Sequence, residues 1–348
     1  MLGKAGALVG QLLLVAAVAL GQSVLELSPT ETVKVPNTTA YAIFEPIKCD
    51  SGSNIYAQLL HQSDPAGGTR VTRISPDGKP TVFPPPRLED KQLGILDFAP
   101  KGDGGVLLLT TGFDGHYYVE SYGEDGRFAS RFSLPNEVDP MQIAVSSTGK
   151  VLVSGLWLEG GHGADKSGGK PYAAIFGSDG REEREVNLIE PENIDEEGKE
   201  GSTKPVPERA KNASRRPDRF SSVQFASNDR FVLPRLGSDP SIYVVSPDGF
   251  ETNSFHIATP PESQLHSVKV DGDLIAAFFV KKKKDSTQNE ISDVFISVIN
   301  SQTGDEQERF HHSSPQLGAS LACYRNGVFT FLTTGDNGEL QIVRATAK

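Results

Sequence analysis

Residues 243–255 read Tyr-Val-Val-Ser-Pro-Asp-Gly-Phe-Glu-Thr-Asn-Ser-Phe, with a turn sequence between two short runs. A β-rich run enters a Ser-Pro-Asp-Gly turn, and a second run ends on an aromatic residue. Asp-Gly tolerates the positive φ angles of tight hairpin turns, and proline presets the first φ angle of the turn. The stretch therefore predicts a β-hairpin.

The hairpin pattern recurs along the chain as part of a larger repeat. The turns of the five hairpins hold Gly78, Gly126, Gly180, Gly249 and Gly304, which lie 48, 54, 69 and 55 residues apart. A looser strand pair precedes each hairpin and occurs a sixth time near the end, so the repeat has four strands, named A to D. Repeats of about 40–50 residues with four strands are typical of β-propeller blades. The sequence predicts an all-β, six-bladed β-propeller with four-stranded antiparallel blades, and six matching units disfavour the alternative, one or two β-sandwiches.

The two ends of the chain complement each other. The last unit stops after its strand C at residues 340–343, whereas a surplus strand precedes the first strand A. That surplus strand, residues 33–37, resembles residues 132–136, which end a strand D. We therefore expect an N-terminal strand to complete the last blade and close the ring, which leaves no exposed sheet edge there.

The N-terminal segment has the features of a secretory signal peptide. Lys4 supplies a basic start, an apolar run follows, and small residues end the segment at position 21. An uncleaved membrane anchor is the alternative, but the apolar run is short for a span. The prediction is a signal peptide at 1–21 and a single propeller domain at 22–348, secreted or periplasmic, with no membrane contact after cleavage.

Charge and composition bound the partners. The net charge of −11 disfavours nucleic acid, because an acidic protein repels phosphate backbones. Residues 189–217 are rich in Glu, Lys, Pro, Gly and Arg and almost lack apolar side chains, so we interpret them as a flexible surface insert, with a docking role as the alternative. With nucleic acid disfavoured, the expected partner is a protein or a small-molecule ligand. The propeller itself is expected to be a monomer.

The repeat resembles the six-bladed β-propellers of the NHL and TolB-like kind. The resemblance rests on the blade pattern and on the Ser-Pro-Asp-Gly hairpins at residues 75–78 and 246–249, over the whole mature chain. It implies a fold used by binding platforms, by lactonases with a central metal and by lyases. Such a fold does not determine the function.

The loops that join strands B to C carry the first set of candidate site residues. In a propeller these loops and the D–A loops form the usual binding face. A ring of aspartates there is suited to calcium, although aspartate is also a preferred turn residue, which is the interpretation we favour. The aspartates are Asp64, Asp114, Asp165, Asp239, Asp285 and Asp336.

The longest of these loops, residues 157–170, is rich in glycine and holds the only tryptophan. Trp157, His162 and Asp165 suit a ligand clamp. The alternative is a flexible loop whose Trp157 packs on the neighbouring blade. With Asp114 and Asp239, these three residues form the predicted ligand-binding set. The adjacent His311 and His312 lack a third ligand for a metal site.

The two cysteines predict a disulfide. Cys49 and Cys323 both follow the apolar part of a strand A, in the first and last blades, which a closed ring makes neighbours. An exported chain with two cysteines is expected to oxidise them where geometry allows. Two buried thiols that pack as small apolar groups are the alternative.

The functional prediction is an exported binding or interaction module of unknown ligand, with no catalytic residues assigned. The alternative is a metal-dependent hydrolase of the lactonase type with its site in the central channel. The channel candidates are mixed in charge and do not form an evident metal site, which favours binding over catalysis. No cofactor is predicted, and calcium is the only cation considered. These channel candidates are Glu45, Asp97, Gln142, Gln224 and Lys269.

Overall fold

The computed structural model describes residues 24–61, 69–161, 169–188, 223–226, 228–236, 239–283, 291–335 and 337–348. This part of the chain consists of strands and turns and contains no helix. It accordingly holds no helix that is long and apolar enough to cross a membrane. The strands are β1 (Val24–Cys49), β2 (Ile55–His61), β3 (Thr69–Ile74), β4 (Pro80–Val82), β5 (Arg87–Leu88), β6 (Lys91–Gln92), β7 (Gly94–Pro100), β8 (Val106–Thr111), β9 (Tyr117–Tyr122), β10 (Phe128–Ser133), β11 (Val138–Val145), β12 (Val151–Trp157), β13 (Lys170–Phe176), β14 (Glu182–Glu185), β15 (Gln224–Ala226), β16 (Arg230–Arg235), β17 (Ser241–Val245), β18 (Glu251–His256), β19 (Ser263–Asp271), β20 (Leu274–Lys282), β21 (Ile291–Asn300), β22 (Glu306–His312), β23 (Leu321–Arg325), β24 (Val328–Thr334) and β25 (Glu339–Ala347).

The predicted hairpins are confirmed, and glycine conformation explains their turns. The pairs β3–β4, β9–β10, β13–β14, β17–β18 and β21–β22 are all antiparallel. Each turn places its glycine in the left-handed region, where a residue without a Cβ is least strained; Gly249, for example, has a φ of 81°. The turn chemistry of the sequence therefore sets the local structure.

Consecutive strands form antiparallel meanders. Strands β7–β10, β11–β14 and β15–β18 make three separate four-stranded sheets. A fourth, eleven-stranded sheet contains β19–β22, β1–β4 and β23–β25, and β5 pairs only with β6. The sequence predicted six separate four-stranded sheets, so this merging is a correction.

The physical reason for the merging is the length of β1, which spans 26 residues. Its N-terminal part pairs antiparallel with β25, where Val33 lies opposite Ile342. Its C-terminal part pairs with β2, where Cys49 lies opposite Ile55. Its first residues run parallel to β22. One continuous strand thus hydrogen-bonds to three groups of strands that would otherwise be separate.

The hydrophobic core lies between sheets rather than at one centre. One buried cluster joins β7–β9 to β11–β13 and another joins β11–β13 to β16–β17. Further clusters lie between β16–β17 and β19–β21, between β20–β22 and β23–β25, and between β23–β25 and β1–β3. The sixth joins β2–β3 to β7–β9. Sheets stacked side by side in this way give the all-β chain its propeller-like arrangement.

Candidate binding cavity at the end of the channel

A buried ion pair joins the first strands of three neighbouring groups. Lys48 Nζ on β1 lies 2.8 Å from Asp97 Oδ2 on β7, and the two side chains are only 3% and 0% exposed. The backbone N–H of Ile143 on β11 donates to the same carboxylate oxygen at 2.7 Å, and Lys48 donates to the Ile143 carbonyl at 2.8 Å. Asp97 and Ile143 thereby fix the lysine from two directions.

Burial dominates the electrostatics of this pair. It raises the pKa of the Asp97 carboxyl, which the charge of Lys48 and its hydrogen bond oppose. It lowers the pKa of the Lys48 amine, which the Asp97 charge opposes. A charge in an apolar interior is costly unless it is paired and hydrogen-bonded, and this geometry supplies both.

A second buried lysine enters the same region from β19. Lys269 is 1% exposed, and its Nζ donates a hydrogen bond to the carbonyl of Ile47. Burial lowers the pKa of Lys269 to about 8; the charge of Glu45 opposes this change, and the charge of Lys48 adds to it. The centre of the inner strands is thus filled by side chains that tie the strands together.

Strand irregularities position these side chains. The pairing of β7 with β8 slips between Ile95 and Asp97, and that of β1 with β2 slips between Phe44 and Lys48. Strands β11, β19 and β23 have irregularities at similar places. A bulge adds a residue to one strand and re-aims the side chains beside it. These bulges let residues such as Asp97 face the common centre.

A cavity of about 210 Å³ opens where the inner strands meet their A–B turns. We call it the channel cavity, and its lining combines apolar and polar groups. Its charged and amide residues are Lys48, Asp50, Lys101, Gln224 and Arg325. Because an antiparallel strand B carries its two loops at opposite ends, this cavity lies on the face away from the B–C loops.

Gln224 lines the channel cavity and carries a buried, unpaired donor. The residue is 7% exposed, and its amide Nε2 is buried without a hydrogen-bond partner in the described part of the chain. Gln142, which the sequence places at the same register, differs because its Oε1 accepts a 2.7 Å hydrogen bond from the Val223 N–H. An unpaired buried amide is costly, so Gln224 is suited to receive an acceptor atom from a ligand.

The channel residues predicted from the sequence do converge, but not as a metal site. Asp97, Gln142, Gln224 and Lys269 lie on the inner strands, and Glu45 Oε2 accepts the Ile47 N–H at 2.9 Å. Within the described residues, no group of three His, Cys, Asp or Glu side chains could hold a metal ion. The contacts described at this centre are ion pairs and hydrogen bonds of lysine, carboxylate and amide groups.

Asp114, predicted on the loop face, is engaged in its own turn. Its carboxylate accepts the His116 N–H at 3.0 Å and the Tyr118 hydroxyl at 2.5 Å. The hydrogen bond from Tyr118 and that from the His116 backbone hold the pKa of Asp114 below its usual range. This is the role of a turn-forming aspartate.

Asp239 lies in a different loop and contacts a histidine. Its Oδ2 is 3.1 Å from Nδ1 of His256, and the Ser241 hydroxyl is 3.2 Å from the same nitrogen. Both contacts use one ring nitrogen, so these groups do not form the serine–histidine–carboxylate relay, which needs both nitrogens. Asp114 and Asp239 are each engaged locally.

Trp157 ends β12 and is half-buried. Its ring lies 5.7 Å from that of Tyr172 and packs against the cluster between β7–β9 and β11–β13. Tyr172 lies on β13, which pairs with β12 in the same sheet. The other loop candidates His162 and Asp165, and likewise Asp64, Asp285 and Asp336, lie outside the described residues, as does the insert at 189–217.

The two histidines that follow one another on β22 differ in environment. His311 has one ring nitrogen 2.9 Å from Glu26 Oε2 and the other 3.1 Å from Asp293 Oδ1. His312 is buried, and burial lowers its pKa to about 4. His311 is thus a bridge between β1 and β21.

The two cysteines are paired in the structure. The Cα atoms of Cys49 and Cys323 lie 5.7 Å apart, within the range that a disulfide spans. Their registers are not equivalent, because Cys49 directly precedes its A–B turn whereas Cys323 lies opposite Thr330, two residues earlier in its own strand. The offset brings side chains of adjacent inner strands into reach.

Sequence reasoning missed Lys48 and Arg325. Lys48 lies between Ile47 and Cys49 in an apolar strand, and a charged residue at an inward position is a usable signal. Arg325 lies at an A–B turn and donates to Asp271 at 2.6 Å and to the Asp50 carbonyl at 3.2 Å. Nothing in its local sequence indicates a link between three turns.

Comparison with known proteins bears on the fold alone. No protein-family model and no curated protein matches the chain. A DUF4221 family member from Bacteroides vulgatus aligns over 94% of this chain and 99% of its own, with 10% identity and a TM-score of 0.57. Its similarity supports a β-propeller fold.

Two enzymes align less closely. Virginiamycin B lyase from Staphylococcus aureus has 12% identity and a TM-score of 0.45 over 93% of this chain and 100% of that chain. A gluconolactonase from Xanthomonas campestris has 9% identity and a TM-score of 0.46 over 91% of this chain and 98% of that chain. We draw no functional conclusion from either similarity.

Proposed function

We propose that the chain is an exported, six-bladed β-propeller of the NHL and TolB-like kind that binds a small molecule in the channel cavity. The first part of this proposal concerns the ring. The first strands of the groups contact one another in the cyclic order β1, β7, β11, β15, β19, β23 and back to β1. With the six clusters between neighbouring groups, this order supports six blades.

The hairpin glycines supply independent support for closure. A Cβ added at Gly180 would lie 2.4 Å from Phe132, on the outer strand of the preceding group. Gly249 and Gly304 approach Arg184 and Phe255 of their preceding groups in the same way. Gly78 in the first group instead approaches Val33 and the Lys34 carbonyl at 2.9 Å. The N-terminal part of β1 thus contacts this turn as the outer strands of other groups contact theirs, which supports the proposed closure.

The binding proposal rests on one observation, the buried and unpaired Nε2 of Gln224 beside the channel cavity. Ligand sites are usually concave, largely apolar and equipped with a few placed polar groups. The channel cavity combines Gln224 with apolar side chains such as Ile143 and Phe225. A small molecule with an apolar body and one hydrogen-bond acceptor fits this lining.

Export is proposed on the signal-like segment at 1–21 and on the paired cysteines, because disulfides persist in oxidising compartments. We propose a secreted or periplasmic, monomeric protein with a small-molecule partner. Mass spectrometry of the mature N-terminus, after expression in an exporting host, tests it. A chain that retains residues 1–21 would contradict the export proposal.

A fragment screen by NMR tests the binding proposal. We expect small amphipathic fragments to shift the side-chain amide signal of Gln224, and the Gln224→Leu variant both assigns that signal and loses the response. Trp157 fluorescence reports on the opposite face. Fragments that change Trp157 emission and leave the Gln224 signal unmoved would place binding on the loop face and refute the cavity.

A further inference from the structure

This inference goes beyond the proposed function and concerns the end of the channel that lies nearer the B–C loops. We infer that Glu45 and His266 together bind a hydroxyl group of a neutral small molecule at this end. Glu45 precedes Lys48 on β1 by three residues, and His266 precedes Lys269 on β19 by the same number. The pair therefore lies nearer the start of the inner strands than the two buried lysines do.

The two lysines separate this pair from the channel cavity. Each inner strand runs from the B–C loop end of the channel to its A–B turn, so Lys48 and Lys269 lie between the pair and the turns. They are 2% and 1% exposed. Lys48 lines the channel cavity, whereas Glu45 and His266 do not. A site formed by this pair is therefore distinct from the channel cavity.

Glu45 and His266 meet although they lie on strands of different groups. Nε2 of His266 is 3.9 Å from Oε1 of Glu45. The same two strands are joined a second time where Lys269 donates to the carbonyl of Ile47. The side chains of His266 and Glu45 are 38% and 34% exposed, so a ligand in solution can reach both facing atoms.

Both side chains are held by contacts that do not use the two facing atoms. Oε2 of Glu45 accepts the N–H of Ile47 at 2.9 Å, which directs Oε1 toward the histidine. The ring of His266 packs edge-on against Phe278, with the ring centroids 6.0 Å apart. Groups that are already ordered lose little conformational freedom when a ligand binds.

The distance between the facing atoms fits one bridging oxygen. At 3.9 Å they are too far apart for a direct hydrogen bond, whose heavy atoms lie about 2.7–3.2 Å apart. An oxygen between them can lie about 2.8 Å from both. A hydroxyl group donates its one proton to Glu45 and accepts from His266 when Nε2 carries the proton. A ketone oxygen only accepts, so it cannot satisfy the carboxylate.

The charges near the pair favour a neutral ligand. Burial lowers the pKa of Lys269 to about 8, and the charge of Glu45 opposes this change, so the amine is mostly protonated at pH 7. Lys48 and Asp97 form a second pair of opposite charges. Two positive and two negative groups offset one another, so neither an anion nor a cation gains from the whole set.

Apolar side chains accompany the pair. Phe44, next to Glu45 on β1, is 40% exposed, and Leu96 on β7 is 38% exposed. The strand pairing slips at Leu96 and at His266, so both are extra residues of bulges. A bulge changes the direction of its extra side chain, which explains how these residues of inner strands become exposed. An apolar body that carries the hydroxyl group has surface to contact here.

The test compares four cyclohexane derivatives that differ in the polar group: cyclohexanol, cyclohexanone, cyclohexanecarboxylate and cyclohexylammonium. Binding to the mature protein at pH 7 is followed by NMR shifts of the His266 ring signal, which the His266→Phe variant assigns among the seven histidines. We expect cyclohexanol to bind about tenfold more tightly than cyclohexanone, because the ketone has no proton to donate to the carboxylate. Both charged derivatives should bind more weakly than the alcohol.

Glu45→Gln tests the donor and acceptor roles with little effect on the fold. Its amide oxygen can still accept the Ile47 N–H, which turns the amide nitrogen toward the site. An alcohol and a ketone both accept from this nitrogen, so the variant should bind cyclohexanol and cyclohexanone about equally. A variant that keeps the wild-type preference for the alcohol would overturn the inference.

His266→Phe removes the ring nitrogen and keeps an aromatic ring against Phe278. Cyclohexanol should bind about fivefold more weakly to this variant, as measured by the backbone amide shifts around Glu45. His256→Phe is the matched control, since His256 is also a partly exposed histidine beside a carboxylate, 3.1 Å from Asp239, but lies on the outer strand β18. It should bind cyclohexanol like the wild type.

The outcomes separate this inference from the proposed function. Shifts at the Gln224 amide without shifts at His266 would support the channel cavity and overturn the inference. Shifts at His266 with Gln224 unmoved would support it independently of the channel cavity. If a charged derivative binds best, the site selects charge and the inference is wrong. If Glu45→Gln and His266→Phe both unfold the protein, the pair is a structural contact and its assigned role is overturned.

Discussion

Replacing one partner of the Lys48–Asp97 pair should destabilise the protein far more than replacing both. Lys48→Met leaves Asp97 as a buried charge held only by backbone N–H groups, those of Ile143 and Phe98 among the described residues, and Asp97→Asn leaves Lys48 without its paired carboxylate. Breaking a buried pair from one side costs about 3–5 kcal/mol, because the remaining charge is uncompensated. The double variant Lys48→Met/Asp97→Leu removes both charges.

The double variant still leaves the Ile143 N–H and carbonyl without their side-chain partners, which costs about 1–3 kcal/mol for each unsatisfied group. We therefore expect it to be less stable than the wild type but to show at least about 2 kcal/mol of favourable coupling relative to the sum of the singles. Guanidinium unfolding of the four proteins at pH 7, with unchanged m-values, measures this coupling.

An exposed pair of similar length serves as the control. Lys170 lies 2.6 Å from Glu159, and both side chains are at least 70% exposed. Lys170→Met and Glu159→Gln should each leave the free energy of unfolding nearly unchanged, because exposed pairs are screened by solvent. If Lys48→Met costs less than about 1 kcal/mol and the buried cycle is additive, the region where the inner strands meet is open to water and our account of this ion pair is wrong.

The remaining predictions concern the ring and its outer edge. The variant Cys49→Ser/Cys323→Ser should lose up to about 5 kcal/mol of unfolding free energy, because the disulfide closes a loop across a sequence separation of 274 residues and long loops gain most in the chain-entropy model. Peptide mapping without reduction should show the linked pair in the exported wild type. Two free thiols there would contradict the disulfide. Deletion of residues 22–36 removes Leu27 and Val35, which are 1% and 2% exposed. At about 1.5–3 kcal/mol for each fully buried side chain, the free energy of unfolding measured by chemical denaturation should fall by about 3–6 kcal/mol. A truncated chain that unfolds like the intact mature protein would refute the closure. His311 can donate to both Glu26 and Asp293 only as an imidazolium. Burial lowers the pKa of His311, but the two carboxylates outweigh this effect and raise the pKa overall. The contribution of His311 to the free energy of unfolding is therefore complete below the unfolded pKa of about 6.5 and is lost as the pH rises through the higher folded pKa. Between pH 6 and 9 the wild type should therefore lose about 1 kcal/mol or less relative to His311→Gln, and parallel pH profiles for the two proteins would contradict this bridge.

Much of the fold was accessible from the sequence because its signals are short-range. The five hairpins follow from glycines such as Gly180 and Gly249, whose positive φ angles depend on residues within the same turn. The four-strand period follows from their spacing. The merging of three groups into one sheet was not predicted, because it requires β1 to continue without a break from the outer edge of one group to the inner edge of the next.

The candidate site depended on tertiary structure. The sequence pointed to aspartates and Trp157 on the B–C loops, where turn chemistry and a lone aromatic are conspicuous, but Asp114 is engaged in its own turn and Trp157 packs against Tyr172. Gln224 was noted only as one of several polar residues on inner strands. The unpaired amide of Gln224 and the adjacent cavity can be recognised only in the structure, where the contacts of Asp97 and Gln142 distinguish them from Gln224.

By itself, the sequence determined the all-β class, the hairpins and their period, because each depends on contacts between residues close in the chain. Tertiary structure decided which side chains meet at the centre. Lys48 and Asp97 are 49 residues apart, and Lys269 reaches a carbonyl 222 residues away. These contacts between residues distant in sequence depend on how each sheet is oriented relative to the next and on bulges that change the direction of single side chains. Neither leaves a periodic pattern in the sequence.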